Sequence, residues 1–299
     1  MLIGAIDLGG THIKYGIYDH NGEEILLQQT PTEAKRGGKY IVDKLTSISH
    51  ELMGKENISG IAISSAGQID ANRGEVIFAT DNIPHFTGFN LKKVISESTG
   101  LKVSVENDVN CAALGEHWKG VAKQSNHFFC LTLGTGIGGA VFLDGKLYHG
   151  ANFGAGEIGH MTLFPNGKMC TCGSKGCFEQ YASSSALQEL INMNLDDHVS
   201  LPEFFDRVKS GDREFKQILG NWIDNLTTGL RSIVHMLNPE LVVIGGGISA
   251  QGQFLEQEIE QSLMEKIMPN YRTHLQIKCA RNGNNANLLG AVKHFLNDN

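Results

Sequence analysis

Three features of the chain predict an α/β protein built as a duplicated pair of domains. Its 299 residues are long enough to bury two hydrophobic cores. A strand, a glycine turn and a second strand occur near the start and again near residue 130, about 125 residues later. Short apolar strands then alternate with helical stripes after each hairpin, the order expected of sheets covered by helices.

Composition removes several classes of function. The net charge is −7 and the pI is near 5.9, and no run of Lys and Arg offers a phosphate-binding footprint, so no nucleic-acid partner is expected. Residues 1–6 are too short for a secretory apolar region, Asp7 interrupts them, and no apolar stretch approaches the thickness of a bilayer. The expectation is a cytoplasmic protein without membrane contact. In that reducing compartment Cys111, Cys130 and Cys279, set among apolar neighbours, read as core thiols.

Residues 2–7 (LIGAID) form an apolar strand, Gly9, Gly10 and Thr11 a turn, and Ile13, Tyr15 and Ile17 alternate as the returning strand. A Walker loop would instead place Gly-Lys-Ser/Thr at a helix start. Glycines in the hairpin turn let backbone N–H groups approach phosphate oxygens, and Asp7 is placed to hold a magnesium ion or its water; a purely structural hairpin is the plainer alternative. A third strand over 24–28, a helix over 40–53 marked by Ile41, Leu45, Ile48 and Leu52, and a strand over 59–65 complete a βββαβ unit. Residues 66–90 are expected to be a long loop opening at Ala66-Gly67, with Pro84 disfavouring helix before it.

The strand over 102–105 ends in Glu106-Asn107-Asp108, followed by a helix over 110–118 whose Ala112, Ala113 and Gly115 permit close packing. A carboxylate at a strand end before a helix is well placed to meet a ligand, so Asp108 is the candidate general base; the alternative is that it only caps the helix. The second hairpin runs from 128–133 through Gly134, Thr135, Gly136, Ile137, Gly138 and Gly139 to a strand over 140–143. Helices are expected over 183–192 and 212–237, the latter with Ile218, Trp222 and Leu226 on one stripe and a stop at Asn238-Pro239. A buried strand over 241–244 leads into Gly245, Gly246 and Gly247, which permit backbone approach to a nucleotide or make a tight turn. A helix over 254–267, a strand over 275–279 and a terminal helix end the chain. No linker divides it, so the repeat places the border near 118–125: an N-terminal domain over 1–120, with the terminal helix 287–299 packed on it, and a C-terminal domain over 121–286.

The densest chemistry lies between Gly156 and Glu179. Cys170, Cys172 and Cys177 fall within eight positions, with His160 ten residues upstream. Three thiolates and one imidazole make a closed tetrahedral zinc site within a loop over 160–177; buried small thiols or a disulfide are the alternatives. Glu157 and His160, three apart, share a face of a helical turn, and Glu179 follows the last cysteine by two. With one ring nitrogen on zinc, His160 keeps an oriented N–H for a carboxylate or a ligand oxygen.

DLGGT at Asp7, END at Glu106, LGTGIGG at Leu133, GEIGHM at Gly156, C-x-C-x4-C at Cys170 and IGGG at Ile244 resemble, in order and over the whole chain, the ROK family of bacterial sugar kinases. The glycine loops are shared more widely with the actin and hexokinase superfamily. The resemblance implies an actin-like, ribonuclease-H-like pair of domains with a cleft between them, closing on ATP and sugar, usually as a homodimer. It implies that Asp108 takes the proton of the sugar's primary (6-) hydroxyl, and that Asn107, Glu157, His160, Glu179 and Gly67 bind the rest of a hexose such as glucose, N-acetylmannosamine or a β-glucoside. Asp7, Gly9, Gly10, Thr11, Lys14, Gly134, Thr135 and Gly136 would serve ATP and its Mg2+, with Gly245, Gly246 and Gly247 near adenosine. His160, Cys170, Cys172 and Cys177 would hold a structural Zn2+. Two segments depart from the family pattern: Ser65-Ala66-Gly67-Gln68-Ile69-Asp70 lacks the usual proline before its glycine, and Asn82-Ile83-Pro84-His85-Phe86 replaces Asn-Leu-Pro-Gly-Trp. The same family includes sugar-sensing transcriptional regulators that carry an added N-terminal helix-turn-helix; a first strand starting at Leu2 leaves no room for one and favours the kinase.

Overall fold

The computed structural model describes residues 1–195 and 198–298; Asn299, the last residue of the helix expected over 287–299, lies outside them. The chain forms two compact units. One comprises Met1–Gln124, Leu147–Ala155 and the chain from Asn284 onward, the other Ser125–Lys146 and Gly156–Gly283.

The first unit begins with β1 (Leu2–Leu8), β2 (His12–Asp19) and β3 (Glu24–Pro31), followed by α1 (Gly38–Lys55) and β4 (Gly60–Ser65). A short hairpin, β5 (Gln68–Asp70) and β6 (Glu75–Phe78), precedes α2 (Leu91–Thr99), β7 (Lys102–Asn107) and α3 (Asp108–Lys119). The main sheet has the order β3-β2-β1-β4-β7, antiparallel within the opening hairpins and parallel from β1 through β4 to β7. Both faces of β1 are buried, which is why it reads as nearly continuous apolar sequence. Ile6 and Leu8 pack with Leu45, Leu52 and Ile95 of α1 and α2, while Ile3 and Ala5 face the opposite core.

The region 66–90 is more ordered than a loop. Ile69 and Val76 of the β5–β6 hairpin are buried in the first core. Strands of three and four residues are too short to show a period, so burial of single side chains rather than pattern decides their structure.

The second unit repeats the first. β8 (Phe128–Leu133), β9 (Ile137–Leu143) and β10 (Lys146–Tyr148) precede a helical run of α4 (Glu179–Ala182), α5 (Ser184–Asn194), α6 (Leu201–Lys209) and α7 (Arg213–Leu237). β11 (Leu241–Gly245), α8 (Gln253–Lys266) and β12 (Gln276–Cys279) follow. The sheet order β10-β9-β8-β11-β12 matches the first sheet position for position. β9 starts at Ile137, so Gly138 and Gly139 belong to the strand rather than to the turn; a Cβ on Gly139 would lie 2.5 Å from the Gly156 carbonyl oxygen. α7 is bounded by side-chain capping from Asp212 and by Asn238 in the left-handed conformation (φ 46°). Among the described residues, no helix is long and apolar enough to cross a membrane.

The chain then returns to the first unit as α9 (Ala286–Asn297), which lies against α3. Two glycines allow this approach: a Cβ on Gly115 would come 2.2 Å from the Ala286 oxygen, and one on Gly290 would come 1.7 Å from the Cys111 oxygen. Backbone on both sides leaves nothing flexible to yield. Gly290→Ala is therefore expected to cost about 1–3 kcal/mol in urea or thermal unfolding, the range for overpacking. Gly54→Ala, in α1 with open space around its Cβ, should be neutral or stabilising by up to about 1 kcal/mol. Equal effects at the two positions would show that the α3–α9 contact is looser than described.

Candidate active site

The register of the first sheet brings three strand ends into line. Asp7 of β1 pairs with Ser64 of β4, which pairs with Glu106 of β7; Leu8, Ser65 and Asn107 form the next row. All three strands are parallel, so this is their common carboxyl edge, where open α/β sheets place ligands.

Asp7 is buried, and its Oδ1 accepts from Ser64 Oγ (2.7 Å) and from Asn287 Nδ2 of α9 (3.0 Å). Burial raises its pKa, against the pull of these two donors and of Lys14, which stands opposite Asp7 in the hairpin register. The turn is folded on itself: Gly9 N–H donates to the Asp7 and His12 carbonyls, and Thr32 Oγ1 donates to the Gly9 carbonyl (2.7 Å). Gly10 and Thr11 are exposed.

Asp108 is the first residue of α3 but not its cap. Asn107 Oδ1 accepts from the N–H groups of Val109 (2.9 Å) and Asn110 (3.1 Å), while Asn107 Nδ2 donates to the Gly67 carbonyl (2.9 Å) and to Asp108 Oδ1 (3.0 Å). The capping task falls on Asn107, which leaves the half-buried Asp108 carboxylate at the helix start for other use. Burial first, and the Asp7 carboxylate second, push Asp108 up to about 7. Asp7, Gly67, Asn107 and Asp108 are thus gathered in the first unit.

On the second unit, Gly134 N–H closes the β8–β9 turn on the Gly136 carbonyl (3.0 Å), and the Ser184 N–H braces it from α5 (3.0 Å). Gly134 and Thr135 are exposed. Gly245 pairs with Thr132 of β8, and Gly246 (φ 83°) backs onto Leu133, so the third glycine run lies beside the same turn. Glu179, only 13% exposed in its side chain, packs against this turn from below: a Cβ on Gly136 would lie 2.4 Å from Glu179 Oε2. His160 ends a 3-10 turn that follows Glu157, and its Nε2 stands 3.9 Å from Glu157 Oε2 while Nδ1 stands 3.8 Å from Glu179 Oε1.

The cysteine cluster is drawn together around that Nδ1. One donor atom each from His160, Cys170, Cys172 and Cys177 lie within 4.8 Å of one another, with Cys170 Sγ 3.6 Å from His160 Nδ1 and Cys172 Sγ 3.6 Å from Cys177 Sγ. A tetrahedron with bonds of about 2.3 Å has edges of about 3.8 Å, close to the two 3.6 Å separations, so the chemistry and spacing of the set suit a zinc ion. The thiols differ: the Ser174 backbone N–H draws Cys172 down to about 7, while burial pushes Cys170 up to about 12, its Sγ lying 3.0 Å from Glu179 Oε1.

Several residues at the site were given no role by the sequence, although Glu106 lies within the Glu106-Asn107-Asp108 motif. Ser64 and Asn287 hold Asp7; the polar Ser64-Ser65 pair closing an apolar strand was a hint, whereas nothing marked Asn287. Glu106 is fully buried, and its oxygens accept from Asn107 N (2.8 Å), Asn110 Nδ2 (3.0 Å) and His149 Nε2 (2.7 Å). Burial opposes its charge, but the His149 hydrogen bond and nearby His294 outweigh burial and hold the carboxyl below its usual range.

Known proteins resemble this chain over nearly its whole length. The chain is 33% identical over 305 residues to a glucokinase of Thermotoga maritima, with 97% of this chain and 96% of that one covered. It is 32% identical over 307 residues to a β-glucoside kinase of Listeria monocytogenes, covering 100% and 98%. Among solved structures, a ROK family glucokinase from Streptomyces griseus in complex with glucose and AMPPNP superposes with a TM-score of 0.85, at 29% identity and 98% coverage of both chains. The two repeated sheets are those of the actin-like two-domain fold of such kinases. The model of the ROK family matches residues 3–297, and the chain belongs to that family.

Proposed function

We propose that the protein transfers the γ-phosphoryl group of ATP to the primary 6-hydroxyl of a hexose such as glucose, N-acetylmannosamine or a β-glucoside. The observation that carries the proposal is Asp108, a helix-start carboxylate relieved of capping by Asn107 and poised near neutrality beside Asp7. A sugar hydroxyl is a poor nucleophile, and phosphoryl transfer through a loose transition state needs alignment, charge neutralisation and a proton acceptor. Asp108 Oδ1 already accepts from Asn107 Nδ2 and from Val109 N (2.9 Å), so Oδ2 is assigned the hydroxyl proton. As that proton leaves, the sugar oxygen bonds to the γ-phosphorus, the bond to the β–γ bridging oxygen breaks, and ADP departs.

The remaining side chains bind and orient. Glu157 and Glu179 offer acceptors to vicinal sugar hydroxyls, and His160 Nε2–H offers a donor. The backbone N–H groups around Gly10, Thr11, Gly134 and Thr135 suit phosphate oxygens, and Gly245 to Gly247 leave room for adenosine. Asp7 would hold magnesium, which neutralises phosphate charge when bound. His160, Cys170, Cys172 and Cys177 would hold zinc, which supplies a rigid node with no open position for chemistry.

Asp108→Asn is expected to lower kcat by about 10²-fold or more with little change in sugar KM. Because Asp108 acts ionised, wild-type kcat/KM should fall as pH drops through about 7. The same raised value has a cost in stability with a definite sign. Folding holds the proton more tightly than the unfolded chain does, so the charged form opposes folding progressively from about pH 4 upward, fully above about 7. Asp108→Asn should raise Tm at pH 8 and leave it unchanged near pH 4. Turnover retained within a factor of a few, or no gain in Tm at pH 8, would place the base elsewhere.

Zinc removal should act on sugar more than on nucleotide. The ion would tie His160 and the segment carrying Glu179 into one body, and its loss releases a loop whose Gly173 (φ 88°) and Gly176 (φ 77°) must then be re-ordered against sugar. Cys172→Ser, or mild chelation, is expected to raise sugar KM far more than ATP KM, with about one zinc per chain before treatment and unchanged circular dichroism after. Folded, zinc-free protein with unaltered sugar KM would leave the ion a role in stability alone.

A further inference from the structure

We propose that His149 is a positioning residue: paired with the buried Glu106, it clamps the segment Leu147–Ala155 onto the sheet edge that presents Asn107 and Asp108. This rests on the kinase reading above, in which that edge meets the sugar.

Beyond the end of β10 at Tyr148, residues 149–155 belong to no strand or helix. None of residues 147–155 is buried, and Tyr148 is 51% exposed. Two polar contacts fasten it to the first unit: His149 Nε2 to Glu106 Oε2 at 2.7 Å, and Gln68 Nε2 to the Asn152 carbonyl at 2.7 Å. These close a ring. Glu106 Oε1 accepts the Asn107 N–H (2.8 Å), Asn107 Nδ2 donates to the Gly67 carbonyl (2.9 Å), and Gln68 follows Gly67. One circuit therefore runs from the strand end of β7 through the segment and the Gly67 turn back to Asn107.

Glu106 is what makes the clamp selective. A fully buried carboxylate is tolerated only while paired, and the His149 contact is a hydrogen bond to a charged acceptor, the strong kind. The groups facing the pair come from every neighbouring element. His294 Nδ1 of α9 lies 4.0 Å from Glu106 Oε2, Asp298 at the end of that helix acts on His149, and Cys111 of α3 feels the Glu106 charge along with those of Asp7 on β1 and Asp108 on α3. The Phe153 ring meets the His149 ring edge-on at 5.6 Å. The Glu106 hydrogen bond, against burial, raises the pKa of His149 from its ordinary 6.5. The cation is thus present below that raised value and is lost as pH rises through it, loosening the clamp on the alkaline side.

The test compares wild type with His149→Gln, which keeps an N–H donor without charge, and His149→Arg, which keeps the charge at all working pH. Sugar KM in His149→Gln is expected to rise about tenfold or more with ATP KM unchanged, the scale of a lost charge-assisted hydrogen bond. Wild-type sugar KM should rise on the alkaline side as His149 loses its proton, and His149→Arg should recover the sugar KM and abolish that rise. Amide hydrogen exchange over residues 147–155 should accelerate about tenfold in His149→Gln and return to wild-type rates in His149→Arg. Unchanged exchange or unchanged sugar KM in His149→Gln overturns the clamp, as does a loss in Tm not accompanied by the KM split. Should the wild type phosphorylate no sugar, the kinase reading fails, while the exchange measurement still decides the clamp.

Discussion

The structure depends on keeping a carboxylate, Asp108, next to another, Asp7, at the edge of one sheet. Asp7 makes ionisation of Asp108 costly, and burial makes it costlier. Such an arrangement persists only where the surroundings over-determine it. Ser64 and Asn287 fix Asp7, Asn107 fixes the backbone turn before Asp108, and the parallel register of β1, β4 and β7 puts all of them in adjacent rows. Asn287 reaches Asp7 because α9 packs closely on α3, and that contact exists because Gly115 and Gly290 lack a Cβ. A glycine pair in the α3–α9 contact thereby supports the environment of Asp7 and Asp108.

The second unit handles its charged groups differently. Glu157, His160 and Glu179 sit within reach of a thiol cluster whose spacing suits a closed tetrahedral ion. Glu179 links two parts of this unit: one oxygen lies 3.0 Å from Cys170 Sγ, and the other rests where a Gly136 side chain would be. The cysteine loop and the Gly134–Gly136 turn therefore share one carboxylate. Glu179 thus lies between the cysteine loop and the glycine turn, in contact with both.

Much of this was legible in the sequence where the physics is local. The cysteines lie within eight positions, so metal-ligand spacing could be read directly, and the two hairpins repeat the same strand and turn chemistry. Long helices such as α7 announced their stripe and their stop, here at Asn238-Pro239. Less was legible where burial of single residues decides the outcome. The β5–β6 hairpin depends on Ile69 and Val76, too few residues to make a period. Sequence left Asp108 open between base and cap, and only coordinates show Asn107 taking the cap. Glu106 and His149 are 43 residues apart, with no pattern joining them, because a buried ion pair is a fact of three dimensions.

Proton abstraction by Asp108 from a primary sugar hydroxyl is the proposal on which the site's other assignments rest. The most direct measurement follows the product of ATP with glucose, N-acetylmannosamine and a β-glucoside by phosphorus and carbon NMR, alongside the matching 6-deoxy sugars. The account predicts one ADP formed per 6-phosphorylated hexose for at least one of the three, and no transfer to its 6-deoxy analogue. Phosphate appearing on the anomeric oxygen, or ATP hydrolysis that ignores every sugar, would contradict it.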